Sequence, residues 1–342
     1  MAPLEIDTPR SIVDEFGRPV HFGWARSPVF QYDRDLLRPP YQRITEMERY
    51  IIFSPTHLLA FEALDGGSLG HISISVVSLT DTKRFTQSFR VPFPMGTFDL
   101  PPRSDAGSTR IQQKKFGIDF TAMEGGSRIV KVDIPRFGHH RSLRGELALT
   151  HPPGAESILT SSPWPREKNA FWYARSSPWY IAEGVMQLSD AELVFVKDKA
   201  WGILDWGRGV RPRSDIRLWA AACGLSGGRQ VGFNLGHSAA DSSAGTENAF
   251  FLDGKLHKLD QVVFHMPSSD WLEPWRFTSS DDRLEMIFKP HQERSDRTVM
   301  FFHSLQRRQV CGSFSGAVVL DDGSRLAFQN ITGFAERRKT RF

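Results

Sequence analysis

Cysteine is almost missing from this sequence: Cys223 and Cys311 are its two thiols in 342 residues. That excludes a disulfide-rich scaffold and leaves room for one bridge at most. Long apolar runs are missing too, since no window approaches the roughly 20 residues of a membrane span. The opening MAPLEIDTPRSIVDEFG carries acids and prolines where a signal peptide would have an apolar segment. A cytoplasmic chain with no membrane span is expected, and the sequon Asn330-Ile331-Thr332 then has no meaning.

The motifs of several chemistries are also lacking. There is no Walker loop, no C-x-x-C and no H-E-x-x-H, and GRGVRP after Asp205 fails the dinucleotide fingerprint in spacing and context. His139 and His140 would point to opposite faces of a strand. Gly312-Ser313-Phe314-Ser315-Gly316 lacks a serine at the middle position of a nucleophile elbow. Neither a metal nor a cofactor is expected. The net charge of +4 (pI about 9.1) is spread along the chain. Its one dense run, Arg337, Arg338, Lys339 and Arg341, reads as a solvated tail, and no nucleic-acid module accompanies it.

What the chain does have is aromatic residues and alternation. Its 26 Phe and 9 Trp suit half-buried strands and, in smaller share, the lining of an apolar cavity. Ile72, Ile74 and Val76 oppose His71, Ser73 and Ser75; Val130, Val132 and Ile134 oppose Lys131 and Asp133; Leu284, Met286 and Phe288 repeat the period. Asp253-Gly254 and Asp322-Gly323 sit between apolar runs as hairpin turns. Helical patterning is scarce, with room for a turn or two between Asp33 and Met47. The reading is an all-β chain of barrels or sandwiches. Prolines cluster between residues 152 and 180, which divides it into domains 1–180 and 181–342.

Composition changes character between Trp201 and Asn248. Polar side chains among buried strands are costly unless paired, so this stretch is the candidate functional centre. Alternation places Trp201, Ile203 and Asp205 on one face and Trp206 and Arg208 on the other. Arg217, Trp219, Ala221 and Cys223 share a face, as do Gly232, Asn234 and Gly236, where the glycines leave room beside the amide. Two readings stay open. In one, Asp205, Arg208 and Glu247 form a structural network that fixes register. In the other, Asp205 is a general acid in an apolar cavity, Trp201 and Trp219 pack on an apolar substrate, and Asn234, Asn248 and Glu247 contact it. Arg208 and Arg211 read as structural or rim residues, and Cys223 as a small core residue.

The segments LDWGRGV (204–210), VGFNLG (231–236), TENAFFLDGKLHKL (246–259), PWRF (274–277), GSFSGAVVLDDG (312–323) and GFAE (333–336) resemble the family catalogued as domain of unknown function 2804. FGWAR (22–26) and KKFGIDFTA (114–122) extend the likeness more loosely. W-G-I-L-D-W-G-R-G followed by R-L-W is similar, at greater distance, to the two-domain lipocalin-like group of carotenoid hydratases and fungal Diels–Alderases. That resemblance implies two calycin-type β-barrel domains and an apolar cavity. It also implies an acidic residue at Asp205 that protonates a double bond; the aromatic hydroxyl expected two residues earlier is Ile203 here.

Three functions follow. The first is a cofactor-independent enzyme (cyclase, isomerase or hydratase type) acting on an apolar small metabolite such as a polyene or terpenoid. The second is a non-catalytic carrier of an apolar ligand, and the third an interaction protein whose aromatics are core.

Overall fold

The computed structural model describes residues 4–38, 41–81, 83–138, 141–165, 167, 169–300 and 303–341; the pair His139-His140 lies outside them. Among the described residues there is no α-helix, only 3-10 turns at Tyr41–Arg43 and Glu124–Gly126. The turn expected after Asp33 is the first of these, and Ile44 already begins a strand.

Strands fill two large antiparallel sheets. The first, of 13 strands, runs in spatial order Arg84–Pro92, Leu69–Ser78, His57–Asp65, Ile44–Phe53, Trp201–Val210, Phe171–Leu188, Arg141–Thr150, Arg128–Phe137, Phe116–Ala122 and Ser108–Gln113. Three more strands attach at its side, including Ile158–Pro163 on Phe171–Leu188. The second, of 9 strands, is built around Ser214–Ser226, Arg325–Arg341 and His303–Val319, with Arg229–His237 and Leu284–Met300 flanking them. Residue 180 lies inside a strand of the first sheet, and the chain passes to the second between Val210 and Ser214. Both Asx-Gly hairpins form: Asp253 and Gly254 take φ of 48° and 80°, as a tight turn between paired strands requires, and Gly323 takes 81° between His303–Val319 and Arg325–Arg341.

Each sheet curls around its own apolar core. Ile72, Ile74, Val76, Val130, Val132 and Ile134 meet inside the first, as their period predicts. Phe233, Phe250, Phe277, Phe288 and Phe314 fill the second, where the last two stack with centroids 4.2 Å apart. Most aromatics are therefore core.

The opposite face is solvated at Lys131 and Asp133, which are exposed, but not along Leu69–Ser78. His71, Ser73 and Ser75 are at most 5% exposed, because the second sheet lies on them. This seam has an apolar centre, where Ile51, Phe53, Leu58, Trp201 and Ile203 meet Trp219, Ala221, Cys223, Cys311 and Phe334. Beside it runs a buried ionic strip. Arg49 donates from both terminal nitrogens to Glu336 at 2.8 and 2.9 Å, Gln309 donates to the same carboxylate at 2.8 Å, and Arg307 pairs with Glu62. The C-terminal basic run, expected as a solvated tail, is an alternating strand: Arg338 is buried, with its guanidinium on the Met47 sulfur, while Arg337 and Lys339 point outward. Both cysteines are buried and free.

Burial pushes the Glu336 carboxyl upward, but Arg49, Arg307 and Arg338 outweigh it and hold the group at about 2. The folded form thus titrates below the ordinary value of 4.5, so the contribution of Glu336 is complete above pH 4.5 and is lost as pH falls through about 2. In chemical denaturation, Glu336→Gln is expected to lower stability at pH 7 by about 3–5 kcal/mol, and the loss relative to wild type should shrink as pH drops across that window.

Candidate functional site

The seam between the sheets brings most of the expected polar residues together. Asp205, 1% exposed, projects from Trp201–Val210 toward Ser214–Ser226. There Arg217 donates from Nη1 to both its oxygens, at 3.3 and 3.1 Å. The same guanidinium donates from Nε and Nη2 to Glu247, at 3.1 and 2.6 Å. One cation thus bridges two carboxylates. Burial disfavours the charge on Arg217, yet Asp205 and Glu247 outweigh it and raise the guanidinium pKa.

Trp219, two residues on and on the same face, lies under this group with its ring centroid 5.0 Å from the guanidinium carbon. Its indole donates to Asn234 Oδ1 at 2.7 Å, and Asn234 Nδ2 donates to the Glu247 carbonyl at 2.7 Å. Asp205, Arg217, Glu247, Trp219 and Asn234 therefore form one hydrogen-bonded unit. The room beside Asn234 is filled from within: a Cβ on Gly236 would stand 2.0 Å from the Glu247 carboxylate, and one on Gly232 would stand 3.2 Å from Trp179.

Three expected residues lie differently. Arg208 points to the other face, as parity requires, and donates to the carbonyls of Pro101, Met47 and Gly207. It is fully buried and, among the described residues, shares no hydrogen bond with Asp205 or Glu247. Trp201 shares the face of Asp205 but sits in the apolar centre of the seam. Asn248 accepts from the Gly236 amide at 2.7 Å and donates to the Asp260 carbonyl at 2.9 Å, so its amide ties down the loop. Cys223 is core, its thiol pushed up by burial.

The residues that complete the site are Arg217, Arg211, Asp215, Trp164 and Trp172. Arg211 pairs with Asp215 at 3.1 Å and lies over Trp172 at 4.0 Å. Gly207 makes that possible, because a Cβ there would meet the Trp172 ring at 2.0 Å. Alternation had already placed Arg217 beside Trp219; nothing local marked Arg211 or Trp172 as their neighbours, since the first sheet delivers Trp172 from Phe171–Leu188.

These groups wall a half-open cleft at one end of the seam. Glu247, Asn248, Arg211, Arg217, Trp164 and Trp172 line it, and about 80 Å³ is free inside. That space suits a few waters or one small group; drug-sized ligands occupy roughly 300–1,000 Å³. Asp205, Trp201, Trp219 and Asn234 stand behind this wall. At the other end of the seam a second cavity offers about 410 Å³, lined by Pro55, Leu79, His291, Gln292, Cys311 and Thr332 among others. Burial raises the Cys311 thiol to about 11, which disfavours a nucleophilic thiolate there.

Gly207→Ala is expected to cost about 1–3 kcal/mol by overpacking Trp172. Gly224→Ala, where the nearest atoms stand 3.9 Å from the added methyl, should leave stability within about 0.5 kcal/mol of wild type. Paired denaturation curves check both.

No curated protein sequence matches the chain. In three dimensions it is similar to a crystal structure of CghA with Sch210972 (TM-score 0.52, 12% identity, covering 88% of this chain and 89% of that one). It is also similar to a putative AttH from Nitrosomonas europaea (TM-score 0.53, 11% identity, covering 90% and 96%). A structure of kievitone hydratase from Nectria haematococca aligns with a TM-score of 0.45 at 8% identity, over 86% of this chain and 88% of that one. At these identities the likeness to CghA and AttH is one of fold: all-β, lipocalin-like, in two curled sheets. The sequence match is to a single family and runs almost end to end; over residues 3–342 the chain belongs to the domain of unknown function family DUF2804.

Proposed function

We propose that this protein is a cofactor-independent enzyme of cyclase, isomerase or hydratase type. It acts on a small molecule whose reacting end enters the seam cleft. The observation that carries this reading is the Glu247 carboxylate. It stands on the cleft wall while Arg217 and Asn234 fix it from behind. A carboxylate held in one orientation beside an open space is suited to accept or return a proton, and positioning of this kind supplies much of a catalyst's advantage.

The other groups have roles that follow from where they stand. Asp205 acts through Arg217 and not on the substrate, because its side chain is 2% exposed against 18% for Glu247 and it lies behind the wall. It is a positioning residue in this scheme. Trp164, Trp172, Ala174 and Val262 give the cleft apolar surface, which fits the end of a polyene or terpenoid. Arg211 and Arg217 offer positive charge to electron density that builds up during reaction. From CghA we carry over only that a protein of this fold is seen with a ligand.

The free volume of about 410 Å³ at the far end of the seam favours a second reading, a carrier of an apolar ligand. The two separate in one experiment. Purified protein is incubated with a small-molecule extract of its source, and every species is followed by mass spectrometry. The enzyme reading expects a substrate to be consumed and a product to appear, with Glu247→Gln slowing this by about 10²–10⁴-fold and Asp205→Asn by less. Retention of an unchanged compound by the protein, or equal turnover by Glu247→Gln, contradicts it.

A further inference from the structure

The strand Leu284–Met300 changes faces partway along. Leu284, Met286 and Phe288 point into the core of the second sheet, and uninterrupted alternation would send Gln292 after them. A bulge at His291 intervenes, since Pro290 pairs with Gly312 but Gln292 with Cys311. Cys311 lies in the seam, so the extra residue turns Gln292 to the seam face. Glycine permits this crossing: a Cβ on Gly312 would stand 2.1 Å from the Lys289 carbonyl oxygen and 2.7 Å from Pro290 Cα. Bulges re-aim side chains in this way and are frequent next to active sites.

The re-aimed amide joins two hydroxyls. Ser313 follows Cys311 on the same face, and Thr332 is its cross-strand partner. Opposite them stand two turns of the first sheet, carrying Pro55 and Leu79–Asp81. The Leu79 amide donates to the Thr56 carbonyl at 2.8 Å and ties these turns together. Between the turns and the second sheet lies the free space of about 410 Å³, within the size range of sites for small organic molecules. Pro55, Leu79 and Cys311 give it apolar surface. Gln292, Ser313, Thr332 and His291 also line it, and their side chains make no hydrogen bond to any described residue. Hydroxyl and amide groups can each both donate and accept. Charge is scarce by comparison: among the described residues no Lys or Arg lines the cavity. The Asp81 carboxylate already accepts from the Lys83 amide at 2.8 Å and pairs with its ammonium at 3.3 Å. An anionic ligand would face that carboxylate, and a cationic one would find it paired.

We propose that this cavity binds an uncharged amphipathic molecule. Its hydrocarbon body lies against Pro55, Leu79 and Cys311, and its hydroxyl or carbonyl end meets Gln292, Ser313 and Thr332. The proposal rests on the cavity of the carrier reading, to which it adds a ligand with a polar end, and it does not depend on the enzyme reading at Glu247.

Decanol is a suitable probe, with decanoate and decylammonium as charged counterparts of the same length. Isothermal titration of the wild type is expected to show saturable binding of decanol at a single site. Both charged chains should bind at least about tenfold more weakly, because their charge would be buried unpaired. Ser313→Trp, which fills the space, should abolish binding. Thr332→Val, which removes a hydroxyl at nearly constant shape, should weaken it roughly 2–10-fold. Glu247→Gln should bind as the wild type does, which separates a failure here from a failure of the enzyme reading. No saturable binding to the wild type, equal affinity for either charged chain, or undiminished binding by either cavity variant overturns the proposal. If Ser313→Trp does not fold, wild-type crystals soaked in ω-bromodecanol decide. An anomalous peak between Leu79 and Ser313 is expected, and a peak elsewhere or none rejects the site.

Discussion

Arg217 reaches from the second sheet to Asp205 in the first, and this contact across the seam sets the terms for the rest of the molecule. Strands at the middle of each sheet bury both faces, one in the core of their own sheet and one in the seam. A seam of purely apolar side chains would join the sheets without fixing their register. Guanidinium–carboxylate bonds have direction, and those of Arg217 to Asp205 and of Arg49 to Glu336 hold at one relative placement of the sheets. Buried pairs gain little over apolar contacts in net stability. Their effect here is to specify one arrangement.

The candidate site is a consequence of the same constraint. Where the seam opens at its edge, the Arg217 bridge ends on Glu247, and the loop that carries Glu247 is tied down through Asn234 and Asn248. Small residues allow the close approach: Gly236 gives way to Glu247, and Gly207 to Trp172. The cleft is thus shaped by contacts whose primary role is to join two sheets, and its polar groups are already oriented. The buried cations of the strip are the other side of this arrangement. Arg49, Arg307 and Arg338 each have a carboxylate within 4 Å, which offsets the cost of burying their charge.

Much of the fold was legible in the sequence because period-2 alternation reports local geometry directly. The core faces at Ile72–Val76 and Val130–Ile134 and the turns at Asp253-Gly254 and Asp322-Gly323 are where the pattern puts them. Alternation reports which residues share a face but not whether the polar face meets water. Ser73 and Ser75 look like a solvated face and are buried, and Arg338 looks like a tail residue and lies in the seam. At the site, parity separated Asp205 from Arg208 correctly and grouped Arg217 with Trp219. It could not give Asp205 its partner, because that partner comes from another sheet. Arg211, Trp164 and Trp172 carry no local signal at all, since their proximity to Glu247 arises from the stacking of sheets.

A double-mutant cycle on the seam pair tests this account most directly. Asp205→Leu, Arg217→Leu and the double variant are unfolded in denaturant beside the wild type. Arg217→Leu strands the buried Asp205 carboxylate and should cost about 3–5 kcal/mol, whereas Asp205→Leu leaves Arg217 paired with Glu247 and should cost less. The double variant should recover much of that loss, giving a coupling of at least about 2 kcal/mol. Losses that simply add would mean that Arg217 and Asp205 do not hold each other across the seam, and the positioning of Glu247 would need another origin.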